Sequence, residues 1–474
     1  MSFARHTASG MLAFGLPLFT GIATVPAYLI VLGTEKYGVF VLLLAILNYA
    51  AFFDLGAGRA ATFKIARSRA DVVTSSNGIA IEGLLLCLAI CLPLAFALFC
   101  AREELALLLP AAPDTNRAEV ISAVSISVFA IPLMALISLF TGVYQGGRNF
   151  YSLNAIQALG GMAVQLVPLM TCILIEPRLD FAMLGVLIAR ISLLLFMMLF
   201  IDRSYMQLPA SSKLSFLTVK ELLLFGRWPT IMSFAGSIIS SCDRFFISNI
   251  SGAAAVAAYT VPFDLTNKLT IIAGSVANTL FPSLVSDHED ASRKTRAVSR
   301  ATIALLTPAG VLIVGLLEPF LKLWIGAELA EQGHMIGEIV SLGVWATALG
   351  ALAQARLLAM NKGAKVVMSY AIQLPTFVIA VYFATMYFGI IGTAIVWAIR
   401  CHVDALMMHY LTGDGWGVLR DVFPHGALLL VAVILAGSDH SKSLEISIFL
   451  ITIAVSILLS RQSLLIVVAR LWRA

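Results

Sequence analysis

The chain has 474 residues, 60% of them hydrophobic and 12% charged, with a mean hydropathy of +0.95. Soluble domains run about half apolar and about a quarter charged, so a soluble protein is excluded. The net charge of +5 comes from basic residues scattered between apolar segments, not from a stripe interleaved with aromatics, so nucleic acid is not expected as a partner.

Reading from the N-terminus, Arg5 and His6 precede an apolar stretch that runs from Met11 to Gly33. It is longer than the apolar core of a secretory signal peptide needs to be and is expected to act as an uncleaved first span. At roughly 20 residues per span, apolar runs bounded by charges or turns fall at about 10–33, 37–57, 77–100, 118–143, 152–175, 181–201, 222–248, 254–284, 301–324, 335–358, 366–387, 390–411, 422–437 and 444–464. Fourteen spans are therefore expected, the last two being the least sharply bounded. Cys87, Cys91, Cys100, Cys172, Cys242 and Cys401 lie in or beside these runs without a Cys-x-x-Cys pair and read as small buried side chains. Gly413-Asp414-Gly415-Trp416-Gly417 joins two spans and follows no strand, so it reads as a turn. No Gly-x-x-x-x-Gly-Lys-Ser/Thr loop for ATP is present. His402 and His409 flank Asp404 but match no metal-ligand spacing, and neither a metal nor a cofactor is expected.

Positive loops stay in the cytoplasm. With the N-terminus inside, 21 of the 31 Lys and Arg residues fall on the cytoplasmic side and seven on the outer side. Both termini are then cytoplasmic, as an even span count requires. Three cations remain inside spans: Arg190, Lys268 and Arg400.

Short matches recur at nearly one offset, 210 to 212 residues. Phe14-Gly15-Leu16-Pro17 returns as Phe225-Gly226-Arg227-Trp228-Pro229, and Phe53-Asp54-Leu55 as Phe263-Asp264-Leu265. Six spans separate the copies, which makes the repeat parallel, with halves related by an axis along the membrane normal. The expected fold is thus an all-α polytopic membrane protein of about 14 transmembrane helices. Its expected parts are an N-lobe over 1–210, a C-lobe over 211–412, and a C-terminal helix pair with a cytoplasmic tail over 413–474. The basic stretch from Arg203 to Lys220 would link the lobes.

Several stretches carry a family resemblance. They are Leu32-Gly33-Thr34-Glu35-Lys36-Tyr37-Gly38, then Phe53-Asp54-Leu55-Gly56-Ala57-Gly58 with the basic run to Arg69, then Asp243-Arg244-Phe245-Phe246 leading to Ala258-Tyr259, and Glu318-Pro319-Phe320-Leu321-Lys322-Leu323-Trp324-Ile325-Gly326. Together with the span count, they make the chain resemble the polysaccharide transporter branch of the multidrug/oligosaccharidyl-lipid/polysaccharide exporter superfamily, typified by the Wzx-type O-antigen flippases. Ala253-Ala254-Ala255-Val256-Ala257-Ala258-Tyr259 departs from the pattern in lacking a glycine before the tyrosine. The resemblance implies two lobes around a cationic cavity. It also implies alternating access that moves an undecaprenyl-diphosphate-linked oligosaccharide across the bacterial inner membrane, with no enzyme activity. The implied partners are that lipid-linked substrate, membrane lipids and a coupling ion, Na+ or H+, with the monomer as the working unit.

A charge at a helix centre costs roughly 2.5–3.5 kcal/mol, so those retained face a cavity or a partner. Lys268 has Asp264 one turn before it, and Arg400 has Asp404 one turn after it, which offers each an i,i+4 ion pair. Arg190 has no carboxylate a turn away and calls for a partner from another helix or from a ligand. Guanidinium donors match phosphate oxygens, so Arg190, Lys268 and Arg400 are the expected substrate-binding cations. Asp54 and Asp264, near Arg59 and Lys268, would temper the field. Arg148 and the Asp243-Arg244 pair belong nearer a rim, and Asn48, Asn154, Gln157, Asn267, Asn278 and Gln373 offer hydrogen bonds to sugars or between helices. Two other readings are weighed. A cation-coupled multidrug exporter would carry twelve spans and an acidic cavity. A membrane-embedded polysaccharide polymerase or glycosyltransferase would need a larger outer loop than the longest one expected here, about 101–117.

Overall fold

The computed structural model describes residues 2–50, 58, 61–62, 65, 79–110, 116–147, 149–201, 235–274, 276–277, 291–360, 362–413, 415–437, 447 and 449–461. Among the described residues there is no strand. A chain surrounded by hydrocarbon must satisfy its backbone groups within each segment, and helices do so. The helices are α1 (Ser2–Ala50), α2 (Ile79–Cys100), α3 (Arg102–Leu107), α4 (Arg117–Gly146), α5 (Phe150–Leu174), α6 (Leu179–Phe200), α7 (235–251), α8 (Ala253–Asn267), α9 (Ala291–Ile325), α10 (Ala327–Ala359), α11 (Gly363–Thr412), α12 (Gly415–Ala436) and α13 (Phe449–Arg461). Among the described residues nine of them are long and apolar enough to cross a membrane.

Two of those nine are folded double. In α1 the rings of Tyr28 and Phe40 stack at 5.4 Å, whereas residues twelve apart in a straight helix are about 18 Å apart. The reversal occurs at Gly33, with φ 77° and ψ 163°. In α11 the Thr385 and Thr393 hydroxyls lie 2.7 Å apart across Gly389, with φ 58° and ψ −147°. Only glycine enters that part of backbone space readily. The expected pairs 10–33/37–57 and 366–387/390–411 are these two hairpins. With α7, α8 and α13 as shorter helical parts of further spans, the whole is compatible with about fourteen.

Two expectations shift at helix ends. The eighth span does not run unbroken to 284: α8 ends at Asn267, where Leu269 and Ile271 donate to carbonyls three residues back, tightening the turn before helix resumes at 270. The ninth begins about ten residues early, because Arg293, Arg296 and Arg300 occupy leading turns of α9 that continue the helix before its apolar stretch.

The chain divides into two compact units, Met1–Ala257 and Ala258–Ala474. In the first, α5 and α6 form a hairpin against α4 and the first limb of α1, and the Tyr28 hydroxyl donates to the Gln165 carbonyl at 2.7 Å. Thr62 donates to the Gly142 carbonyl at 2.9 Å, holding the described turn around Gly58 against α4. One buried acid joins three helix ends. Glu119, 5% exposed, accepts from Lys36 Nζ at 3.3 Å and from the Leu179 backbone N–H at 2.6 Å, so it also caps α6. In the second unit α9, α10, α11 and α12 pack together. Phe263 meets Trp397 edge-on at 4.8 Å, and Trp345 Nε1 donates to Thr307 at 3.2 Å. Asp421 of α12 accepts from Arg296 Nε at 2.5 Å and from Arg300 Nε at 2.7 Å, fastening α12 to α9. Gly413, left-handed at φ 87°, ends α11, but Gly415, Trp416 and Gly417 already belong to the first turn of α12, so the expected turn over 413–417 is shorter than the glycine-rich segment.

Glu119→Ala leaves the Leu179 N–H without its acceptor and Lys36 with only the Pro177 carbonyl, at 3.4 Å, and should cost about 1–3 kcal/mol, read as a lower melting temperature in detergent. Glu119→Gln keeps an oxygen for the N–H and should cost less. Gly389→Ala should lower the melting temperature through a strain of about 1–3 kcal/mol.

Candidate functional site

Arg190, Asp264, Lys268 and Arg400 lie within the described residues; Asp54, Arg59 and Arg148 lie outside them. Arg190 belongs to the first unit and the other three to the second.

Arg190 stands near the midpoint of α6. One helix face carries Met183, Val186, Leu193, Leu194 and Met197, all buried, and Arg190 projects from the centre of that face because residues three, four and seven apart share a side. The opposite face, with Ile188, Ile191, Leu195 and Leu199, is exposed and suits lipid. The hairpin with α5 sets the depth of Arg190: Gly185 sits against Pro168, and Gly160 against Leu193. Arg190 Nε is enclosed with no hydrogen-bond partner, and among the described residues the guanidinium makes no ion pair. The missing local carboxylate noted in the sequence is therefore not replaced by one from another described helix.

Arg400 lies in the second limb of α11, off the exposed apolar stripe of Ile395, Ile399, Val403, Leu406 and Tyr410. Its i,i+4 pairing with Asp404 is not closed within 4.0 Å among the described residues. The guanidinium lies over the Phe377 ring at 5.7 Å, its Nη2 is 3.2 Å from Cys401 Sγ, and its Nε is buried without a hydrogen-bond partner. Asp404 instead accepts from Gln373 Nε2 at 2.9 Å, and that nitrogen also donates to Ser369 Oγ at 2.7 Å. Tyr370 donates to Gln354 of α10 at 3.5 Å. A polar cluster thus bridges both limbs of α11 and α10.

Asp264 is half-buried near the end of α8, and Lys268 is exposed in the turn beyond it; no salt bridge joins the two among the described residues. Asp243 and Arg244 are both buried in α7. Gln373 was visible in the sequence as a polar residue in an apolar span. Ser369, Tyr370, Gln354 and Phe377 carried no signal of their own, since their meeting depends on the fold-back at Gly389.

Residues 3–287 match the profile of a family described as "Polysaccharide biosynthesis protein". The "Putative O-antigen transporter" of Shigella flexneri is 25% identical over 414 residues, which cover 87% of this chain and 98% of that one. The "Uncharacterized membrane protein EpsK" of Bacillus subtilis (strain 168) is 23% identical over 348 residues, 71% of this chain and 68% of that one. Among solved structures, the lipid II flippase MurJ in an inward closed conformation superposes with a TM-score of 0.72 at 14% identity, covering 99% of both chains. An inward-facing multidrug resistance MATE family transporter of the MOP superfamily gives 0.69 at 16%, covering 88% of this chain and 98% of that one. At such identities these likenesses establish the fold, that of polytopic membrane transporters.

Arg190 is half-buried with its Nε enclosed and no counter-ion among the described residues, a stability cost that an apolar side chain removes. Arg190→Leu is therefore expected to raise the melting temperature in detergent, by an amount corresponding to about 1–3 kcal/mol.

Proposed function

We propose that this chain, which belongs to the polysaccharide biosynthesis protein family, is a flippase for an undecaprenyl-diphosphate-linked oligosaccharide, an O-antigen or exopolysaccharide repeat unit. It carries this cargo from the inner to the outer leaflet of the bacterial inner membrane. The observation behind the reading is Arg190, half-buried at mid-span with its Nε enclosed and no anionic partner among the described residues. Arg400, left open by Asp404, supports it from the second unit.

The chemistry follows from the cargo. A diphosphate entering hydrocarbon loses its hydration, and an Arg fork offers permanently charged, planar donors in place of that water. Lys268, exposed at the end of α8, adds a third cation, and Asp264 moderates the local field; Asp54, Arg59 and Arg148 complete the proposed set. The pathway is cationic and works by alternating access of two lobes, 1–210 and 211–412, with 413–474 appended. The prolines inside helices, among them Pro17, Pro168 and Pro375, supply bends for that motion. The three-to-one bias of Lys and Arg puts both termini in the cytoplasm. No nucleotide-binding loop is encoded; a Na+ gradient, a H+ gradient and the membrane potential are each compatible as the driving force, and the monomer is the working unit. The protein performs no covalent chemistry on the glycan.

Arg190→Ala should abolish surface polysaccharide while leaving folded protein in the membrane, and Arg190→Lys should retain part of the activity, because it keeps the charge and loses the fork. Full display by Arg190→Ala overturns the role of Arg190. In a strain lacking the gene, lipid-linked repeat units should accumulate on the cytoplasmic face. Unpolymerised units on the outer face would indicate a polymerase instead, and unchanged glycolipid with altered dye efflux a drug exporter.

A further inference from the structure

Arg400 and Asp404 have the spacing at which a cation and an acid close on a helix surface, in a protein interior where such attraction is strengthened. Yet they remain apart, and the geometry around Asp404 accounts for it. Gln373, 4% exposed, donates from Nε2 to Asp404 Oδ1 at 2.9 Å and to Ser369 Oγ at 2.7 Å. The first of these crosses between the two limbs of α11 and the second, one turn back along the same limb, holds the amide in place. On its other side Asp404 Oδ2 lies against Gly350 of α10, where an added Cβ would be 3.4 Å away, so the carboxylate is confined between α10 and Gln373. A turn towards Arg400 would break the amide bond and strand a buried N–H, at a cost comparable to the interaction it gained.

Among the described residues the other partners of Arg400 are neutral. Its Nη2 meets a thiol, its plane lies over a phenyl ring, and its Nε has no hydrogen-bond partner. Neutral neighbours fix the orientation of a guanidinium without cancelling its charge, and an aromatic face is suited to that.

We infer that Gln373 is a positioning residue that holds Asp404 away from Arg400 and so keeps the Arg400 guanidinium available for a phosphate anion. The inference rests on the reading of the chain as a carrier of diphosphate-linked cargo, and assigns to Gln373 the regulation of one cation of that site. A glutamine suits the task because its amide donates to a carboxylate without adding charge, whereas a lysine there would pair with Asp404 but alter the field, and an apolar residue would release it.

The test uses the full-length protein in detergent at low salt, with inorganic pyrophosphate as the probe and calorimetry as the readout. Gln373→Met, matched in length, frees Asp404 to close on Arg400. Its affinity for pyrophosphate should fall roughly 10- to 100-fold, the worth of one or two charge-assisted hydrogen bonds. The double variant Gln373→Met/Asp404→Asn has no carboxylate to close and should return to the wild-type affinity. Asp404→Asn alone should bind as tightly as wild type or tighter, which keeps the inference testable even if Gln373→Met folds poorly. Unchanged affinity in Gln373→Met, a double variant as weak as the single one, or lost binding in Asp404→Asn would each overturn it. If Gln373 only supported the fold, Asp404→Asn would not rescue its loss. Arg190→Ala and Arg400→Ala separate the two claims: full pyrophosphate affinity in both removes the cationic basis of the transport reading itself, whatever Gln373 does.

Discussion

The hydrocarbon interior of a bilayer offers neither water for backbone amides nor counter-ions for charges, and that scarcity shapes the whole molecule. Backbone groups answer it by closing into helices, which is why the described residues contain no strand. Side-chain charges answer it in two ways. At helix ends they are matched: Lys36 with Glu119, Arg178 with Asp180 at 2.7 Å, and Arg296 and Arg300 with Asp421. Within the apolar stretches, Arg190 and Arg400 form no salt bridge among the described residues. Ion pairing among the described residues is thus found where helices are tied together.

The hairpin glycines serve the same division. Gly33 and Gly389 reverse the chain in a single residue, so adjacent limbs lie close enough for Tyr28 to stack on Phe40 and for Gln373 to reach Asp404. Gly252, also at positive φ, separates α7 from α8 as Gly33 separates the limbs of α1. The first pair of helices in each expected half thus turns on a glycine. A longer linker would place the same residues at less defined depth, and the cluster around Asp404 would lose its register.

Arg190 and Arg400 are held by different means. Arg190 is set by position alone: the α5–α6 hairpin fixes its depth, and an apolar face surrounds it. Arg400 is set by chemistry: a thiol, an aromatic ring and a diverted carboxylate. Both arrangements cost stability relative to an apolar or fully paired core, and such costs persist where a ligand supplies the missing partner. The diphosphate-linked lipid proposed as cargo is a ligand of that kind.

Hydropathy and charge placement in the sequence determined that the chain is a multi-pass helical membrane protein, where most spans lie, and that Arg190 and Arg400 are out of place in them. Those inferences hold because the bilayer imposes length and polarity on each span separately, so each can be read from its own residues. The fate of each cation was not legible in the same way. The i,i+4 spacing offered Asp404 to Arg400, and only the fold-back at Gly389 brought Gln373, 31 residues away along the chain, to take it first. Likewise the absence of a counter-ion for Arg190 among the described residues depends on which faces of α4, α5 and α6 meet. A local pattern states which pairings are within reach, but competition between partners for one carboxylate is settled in three dimensions, because hydrogen bonds depend on distances that helix packing alone decides.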